Sequence, residues 1–235
     1  MKLCTLHTSD KFMELMTVPF TRPFLKLHPE LDQLDIADSS IIIETQANGG
    51  PTPAVARRMY NYLQAAVDAG ADGVLVTCTS VNSVTKKLRD LLPIPVISIE
   101  EPIAAEAVAA GSRIGILSSV ATSAKPVRET ILEQAAAAGC EVDVSIVVAD
   151  GAFEALMSGD RDLHDEKIRQ ALESLAPQVD VVVFAQLSMA LVKHPEYEIP
   201  VLKLGLSGYE AAYQAMKEKQ QTKQTQHKEQ QGGRP

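Results

Sequence analysis

Residues 71–80, ADGVLVTCTS, lie over residues 179–188, VDVVVFAQLS, without a gap. The overlay sets Asp72 on Asp180, Cys78 on Gln186 and Ser80 on Ser188. Each copy is followed, a short helix later, by a strand opening Ile-Pro-Val: IPVISIEEP from Ile94 and IPVLKLGLSG from Ile199. Any two α/β strands look somewhat alike. The sharper reading is two similar α/β lobes facing one another.

The rest of the chain has the same grain. The runs SSIIIET, IPVISIE, RIGILSS, VDVSIVV and IPVLKLG are short, β-branched and near-continuous, as expected of central parallel strands covered on both faces. Between such runs lie Ala- and Leu-rich segments with helical spacing, PAVARRMYNYLQAAVDAG, SAKPVRETILEQAAAAG and HDEKIRQALESLAPQ. Several close on Gly, the usual residue just past a helix end. Strand–helix alternation of this kind implies an α/β fold with parallel sheets. From Met216 the composition turns Gln- and Lys-rich with almost no apolar side chains, which predicts a fraying helix end or disorder.

The chain has 235 residues, a formal net charge of −8 and three cysteines. Such a length suits one large domain or two small lobes and needs no disulfide staples. Cys4, Cys78 and Cys140, an odd number in apolar surroundings, fit reduced thiols in the cytoplasm better than a secreted disulfide framework. The acidic balance argues against a nucleic-acid or anionic-membrane surface, both of which need concentrated Lys and Arg. It leaves room for a small anionic substrate, which a few local donors can capture. The N-terminus MKLCTLHTSDKF lacks the apolar core of a signal peptide, and no apolar run approaches the roughly 20 residues that span a bilayer. A soluble protein is expected, with a symmetric homodimer the commonest assembly for soluble enzymes.

In open parallel sheets, ligands gather beyond the carboxyl ends of the strands, and Cys78 sits at such an end. The segment after it, SVNSVTKKLRDLL, carries Val81, Val84, Leu88 and Leu91 at helical spacing, with Thr79, Ser80 and Asn82 as candidate caps. A helix is therefore predicted to start almost on the sulfur. Its free N–H groups favour the thiolate; lowering a thiol pKa from about 8.5 to about 7 takes roughly 2 kcal/mol, within reach of a helix terminus and two hydrogen bonds. The plain alternative is a small buried filler, since free cysteine is among the most buried residue types. The polar neighbours Thr77, Thr79 and Ser80 suit a carboxylate-binding pocket better than a filler. Cys4 and Cys140 lack them and read as structural.

Cys78 in VTCTS at a strand end, a second strand-end motif one lobe later, and the intervening GSRIGILSSVATSAKPV together resemble the aspartate/glutamate racemase superfamily. That group includes glutamate, aspartate and hydantoin racemases, maleate isomerase and arylmalonate decarboxylase. The resemblance spans roughly residues 1 to 215, carried by the order and spacing of its motifs rather than by any one string. It implies two pseudo-symmetric lobes, each a mostly parallel sheet flanked by helices, with the active site in the cleft between them. Residues 1–98 and 205–215 would form the first lobe, 99–204 the second, and 216–235 a flexible tail. It also implies an isomerase of an amino acid or small acid that uses no cofactor. In such racemases one cysteine removes the proton next to a carboxylate and a second, on the opposite lobe, returns a proton to the other face.

Carried onto this chain, the resemblance makes Cys78 the first-lobe acid/base, Thr79 and Ser80 carboxylate or enolate donors, and Thr122 in VATS a neighbour of the ligand carboxylate. The departure is at the second thiol, where Gln186 stands; an amide cannot give and take protons as a thiol does. Three routes remain. Another second-lobe group, with Ser188 or His194 nearest, could shuttle the proton through water. Cys78 could act alone, protonating an enediolate on one face after decarboxylation, in a mirror image of the single-cysteine decarboxylase branch. Or the thiol could add to an unsaturated acid, as in maleate isomerase. All three need donors for a developing enediolate, each worth on the order of 3 kcal/mol when well aimed. A small-acid binding protein that has lost catalysis is the reading from a different class.

Other residues carry weaker signals. His7 and Thr8 follow the first strand; a hydrogen-bonded structural histidine is the commoner outcome, while Thr8 is a reasonable substrate contact because its loop flanks the site in the family. Asp38 and Ser39 precede an apolar run and read as a cap or turn, with a cleft role for Asp38 favoured by the resemblance. ANGGPTP lacks a nucleotide-binding spacing and reads as a loop before a helix from Pro53. No HxxxH, HExxH or CxxC occurs, so no metal is expected, and His28, His164 and His194 default to the surface.

Overall fold

The computed structural model describes residues 1–232. Eight strands form two four-stranded sheets. The first sheet holds β1 (Lys2–His7), β2 (Asp32–Ala37), β3 (Gly73–Val76) and β4 (Val96–Ser98) in the order β2-β1-β3-β4. The second holds β5 (Arg113–Ser118), β6 (Asp143–Val148), β7 (Val181–Phe184) and β8 (Val201–Lys203) in the order β6-β5-β7-β8. Every pairing is parallel. The helices are α1 (Asp10–Met16), α2 (Arg22–Leu27), α3 (Ser39–Ala47), α4 (Pro53–Asp68), α5 (Asn82–Arg89), α6 (Glu101–Ala110), α7 (Ala121–Ala138), α8 (Ala152–Ser158), α9 (Arg161–Leu175) and α10 (Leu206–Gly232).

The internal repeat is real at the level of topology. β3 and β7 occupy the same place in their sheets, and each is followed by a single tight turn, Thr79–Val81 and Leu187–Met189. The matched aspartates do matched work: Asp72 Oδ2 accepts from the Lys2 N–H at 2.8 Å, and Asp180 Oδ2 accepts from the Arg113 N–H at 2.8 Å. In each lobe the acid before the third strand pins the start of the first. A continuous apolar core joins the sheets, with Leu3, Leu75, Ile99 and Ile103 packed with Ile114, Ile116, Val181 and Val183.

Three expectations are corrected. SSIIIET is not a strand but helix α3: the Asp38 side chain caps it by accepting from the Ser40 N–H at 2.9 Å, and Ile41, Ile42 and Thr45 are buried at helical spacing. The strand of that region is instead β2, whose mixed residues Asp32 to Ala37 suit an edge position exposed on alternate sides. His164 is fully buried with Nδ1 2.7 Å from Asp165 Oδ1, and His28 packs between the rings of Phe24 and Tyr213, so neither is a free surface histidine.

At the C-terminus a helical end is seen, since α10 runs through to Gly232; residues 233–235 of the expected tail lie outside the described residues. Met216, where that tail was expected to begin, is fully buried and packs against Gly73. No described helix is long and apolar enough to cross a membrane.

Candidate active site

In a sheet of order 2-1-3-4 the chain winds outward in opposite directions from the first and third strands, leaving a crevice beyond their carboxyl ends. Thr8 follows β1 and Cys78 follows β3, so both stand at that switch point in the first sheet. In the second sheet Ser119 follows β5 and Gln186 lies just beyond β7. The two switch points face one another, and Cys78, Thr79, Ser80, Gln186 and Ser188 line one pocket together with Ile42 and Gln46 of α3. Its cavity volume is about 30 Å³ within about 390 Å³ of space between atoms. Its innermost part has room for about one water. Among the described residues, Cys78 is the one titratable side chain on this inner lining.

The Cys78 sulfur does not have the depressed pKa expected of a thiol at a helix start. The residue is 8 % exposed, and desolvation pushes its thiol up. The Thr8 hydroxyl and the Ser80 backbone N–H do pull the other way, as the strand-end position predicts, but burial outweighs them, and the charge of Glu100 adds to burial. The candidate caps are otherwise engaged. The Thr79 hydroxyl donates to the Ala185 carbonyl in the opposite lobe at 3.1 Å, and Ser80 Oγ lies 3.0 Å from Ser123 Oγ and 3.3 Å from Thr122 Oγ1. Asn82 accepts from Ser98 Oγ at 2.8 Å and donates to Thr130 Oγ1 of α7 at 2.8 Å. Three of the four residues after the sulfur thus tie the first lobe to the second.

Gln186 is held by its oxygen. Oε1 accepts from the Ser119 N–H at 2.5 Å, from Ser118 Oγ at 3.0 Å and from Ser119 Oγ at 3.0 Å. Since a backbone N–H can only donate, this fixes which end of the amide is oxygen and leaves the Nε2 hydrogens free to donate elsewhere. A thiol from one lobe and an amide from the other thus line one pocket.

The remaining candidates are placed as follows. Thr8 is fully buried beside Cys78. Thr122 lines an adjoining outer pocket that shares Gln46, Val120 and Phe153 with the inner one and carries Asp150 and Glu154, two carboxylates that the sequence reading did not single out. Asp38 is not on either lining: besides capping α3 it accepts from Ser40 Oγ at 2.6 Å and Tyr62 Oη at 2.9 Å. His7 is fully buried with Nδ1 3.0 Å from Thr77 Oγ1 and Nε2 3.1 Å from Thr5 Oγ1, a brace behind the site. His194 has Nδ1 2.7 Å from the Pro195 carbonyl and lies off the inner lining. Among the described residues no group of three His, Cys, Asp or Glu side chains is placed to hold a metal ion.

Two parallel sheets of one strand order, with their switch points closing on a small pocket, define a two-lobed α/β cleft protein. The chain belongs to the Asp/Glu/Hydantoin racemase family, whose model matches residues 4–216. Solved structures agree on the fold. Glutamate racemase from Francisella tularensis in complex with D-glutamate is 10% identical, with a TM-score of 0.68, covering 93% of this chain and 82% of that one. Allantoin racemase from Klebsiella pneumoniae is 18% identical, with a TM-score of 0.64 and coverage of 94% and 86%. A glycine-to-cysteine mutant of arylmalonate decarboxylase is 16% identical, with a TM-score of 0.56 and coverage of 92% and 93%. No curated protein matches the chain in sequence.

Proposed function

We propose that the protein is a cofactor-independent enzyme that moves a proton at the carbon next to a carboxylate of a small acid, with Cys78 as its only proton carrier. Of the outcomes open to such a site, one-faced protonation of an enediolate, a lyase-type reaction, is the one the geometry favours. The observation that carries this reading is the pairing of a single thiol with an amide whose oxygen is already committed to Ser118 and Ser119. Gln186 has no proton to trade, and burial keeps Cys78 in its thiol form, so the sulfur enters as an acid.

The steps balance without any other group. When a carboxyl group leaves as carbon dioxide, the electron pair of the broken C–C bond passes onto the remaining carboxylate as an enediolate. Gln186 Nε2 and the Ser80 hydroxyl are the donors for its oxygens. The Cys78 S–H proton goes to carbon, and the thiolate left behind regains a proton from water when the lobes part.

A second reading, isomerisation of an amino acid, draws support from Asp150 and Glu154 in the outer pocket, because carboxylates there suit a substrate ammonium. It needs water or Ser188 to serve the second face. Incubating candidate acids in deuterated water separates the two. Released carbon dioxide with one deuterium placed stereospecifically at the α-carbon supports the lyase; exchange with inversion supports the isomerase. Binding with neither points to a small-acid binding protein. Cys78→Ser is expected to abolish turnover in either catalytic case, and unchanged turnover would remove the sulfur from the mechanism.

A further inference from the structure

Beside the sulfur sits a buried acid that the steps above do not use. β3 and β4 run parallel with Val74 opposite Val96 and Val76 opposite Ser98, and the Ile99 N–H donates to the Val76 carbonyl at 3.1 Å. Cys78 and Glu100 each lie two residues beyond the last paired positions of these strands, Val76 and Ser98, and the Glu100 charge reaches the sulfur. Glu100 is fully buried, and neither carboxyl oxygen has a hydrogen-bond partner of normal geometry.

An ionised carboxylate in that setting is costly, so the group stays protonated well above its usual range. Desolvation pushes its pKa up to about 8; its own backbone N–H, poorly aligned, pulls down, Glu101 on α6 pushes up, and Lys86 and Arg89 on α5 pull down. Those two cations are already engaged, Arg89 with Glu101 at 2.5 Å and Lys86 with Glu133. From α10 the neighbour of this turn is Gly208, packed on Ile99. The charge of Glu100 in turn pushes the Cys78 thiol up.

We propose that Glu100 is a positioning residue that acts through Cys78: the two form a coupled pair that carries at most one negative charge across the neutral range. Ionisation of Glu100 holds the proton on the sulfur, and delivery of the sulfur's proton to substrate holds Glu100 protonated. By reciprocity each group opposes the other's ionisation equally. The pair therefore makes Cys78 a one-proton donor rather than a base. The inference rests on Cys78 being the proton carrier, but its test does not depend on turnover.

The test is the rate of Cys78 alkylation by iodoacetamide as a function of pH, read by mass spectrometry on the Cys78 peptide because Cys140 is exposed and also reacts. In the unmodified protein the logarithm of the rate should rise with pH, flatten near pH 8 as Glu100 ionises, and then rise again. Glu100→Gln should remove the flattening and alkylate faster above pH 8, by up to about tenfold, because a neighbouring negative charge no longer opposes the thiolate. Glu100→Asp, which keeps the charge, should restore the flattening. Superimposable profiles for unmodified protein and Glu100→Gln would overturn the coupling. Should Glu100→Gln fail to fold, the unmodified protein still decides: an unbroken unit slope through pH 8 overturns the proposal. A shifted profile in a protein that turns over no acid would leave the coupling standing and sink the catalytic reading instead.

Discussion

In the proposed reaction Gln186, which the internal repeat overlays on Cys78, does what a thiol could not. Hydrogen bonds from Ser118 and Ser119 fix its oxygen, so under the proposed mechanism its nitrogen would serve as a preorganised donor to the substrate carboxylate, worth on the order of 3 kcal/mol of transition-state stabilisation. Gln186→Glu keeps an oxygen for the Ser119 N–H but turns the cleft-facing donor into an acceptor, and should lower kcat by about 10²-fold or more. Gln186→Leu should lose a similar factor and in addition about 1–3 kcal/mol of stability, because Ser119 N–H is then buried without a partner. Steady-state kinetics and thermal unfolding of both variants check this, and full activity in Gln186→Glu would remove the amide from the mechanism. At this scale the sequence was legible where the repeat made it so: overlaying two strand ends brings Cys78 and Gln186 together. Thiol acidity was not, because burial depends on how tightly the lobes close, which no local pattern encodes. Nor was Glu100, since an acid in IEEP reads as the first turn of a helix, and only the fold shows it buried near the end of the strand that pairs with β3.

Among the elements, α3 shows where local pattern misleads. Three isoleucines in a row suit a strand by β propensity, yet the Asp38 cap and the burial of Ile41, Ile42 and Thr45 at helical spacing make them a helix. That helix matters to the site, because Ile42 and Gln46, one turn apart, both reach the cleft lining. Asp38 anchors the arrangement by capping α3 and accepting from Tyr62 of α4. Asp38→Ala should cost about 1–2 kcal/mol, a fall of about 2–8 °C in Tm for a chain of this size, with kcat little changed. Differential scanning calorimetry with parallel kinetics checks it. A large loss of kcat at unchanged Tm would mean that Asp38 meets substrate rather than helix. Strands β3 to β8 and helices α4, α7 and α9 were legible because near-continuous β-branched runs and amphipathic segments leave little choice, whereas the edge strand β2, half polar, and the helices α1, α2, α6 and α8 were not read from the sequence.

For the molecule as a whole, the question is how anything enters a cavity of about 30 Å³. A carboxylic acid of even a few heavy atoms is several times the volume of a water, so the proposed function predicts that the lobes part to admit it to the innermost part of the cleft. The apolar core that spans both sheets prevents them from separating altogether, and parting is therefore confined to the cleft face, where the ties are polar. Those ties are Thr79 to Ala185, Ser80 to Ser123, and Asn82 to Thr130. The first crosses directly between the two matched strand ends. Thr79→Val keeps the shape and removes that hydrogen bond, worth about 0.5–1.5 kcal/mol net, so the open population should rise about twofold to tenfold. Alkylation of Cys78 should then speed up by that factor at every pH, a parallel displacement of the profile, because access changes and ionisation does not. A change in the shape of the profile would place Thr79 in the electrostatics of the sulfur instead. No change at all would mean that the buried Ser98–Asn82–Thr130 chain, rather than the Thr79 bridge, limits opening, and Asn82→Ala would be the variant that frees the cleft.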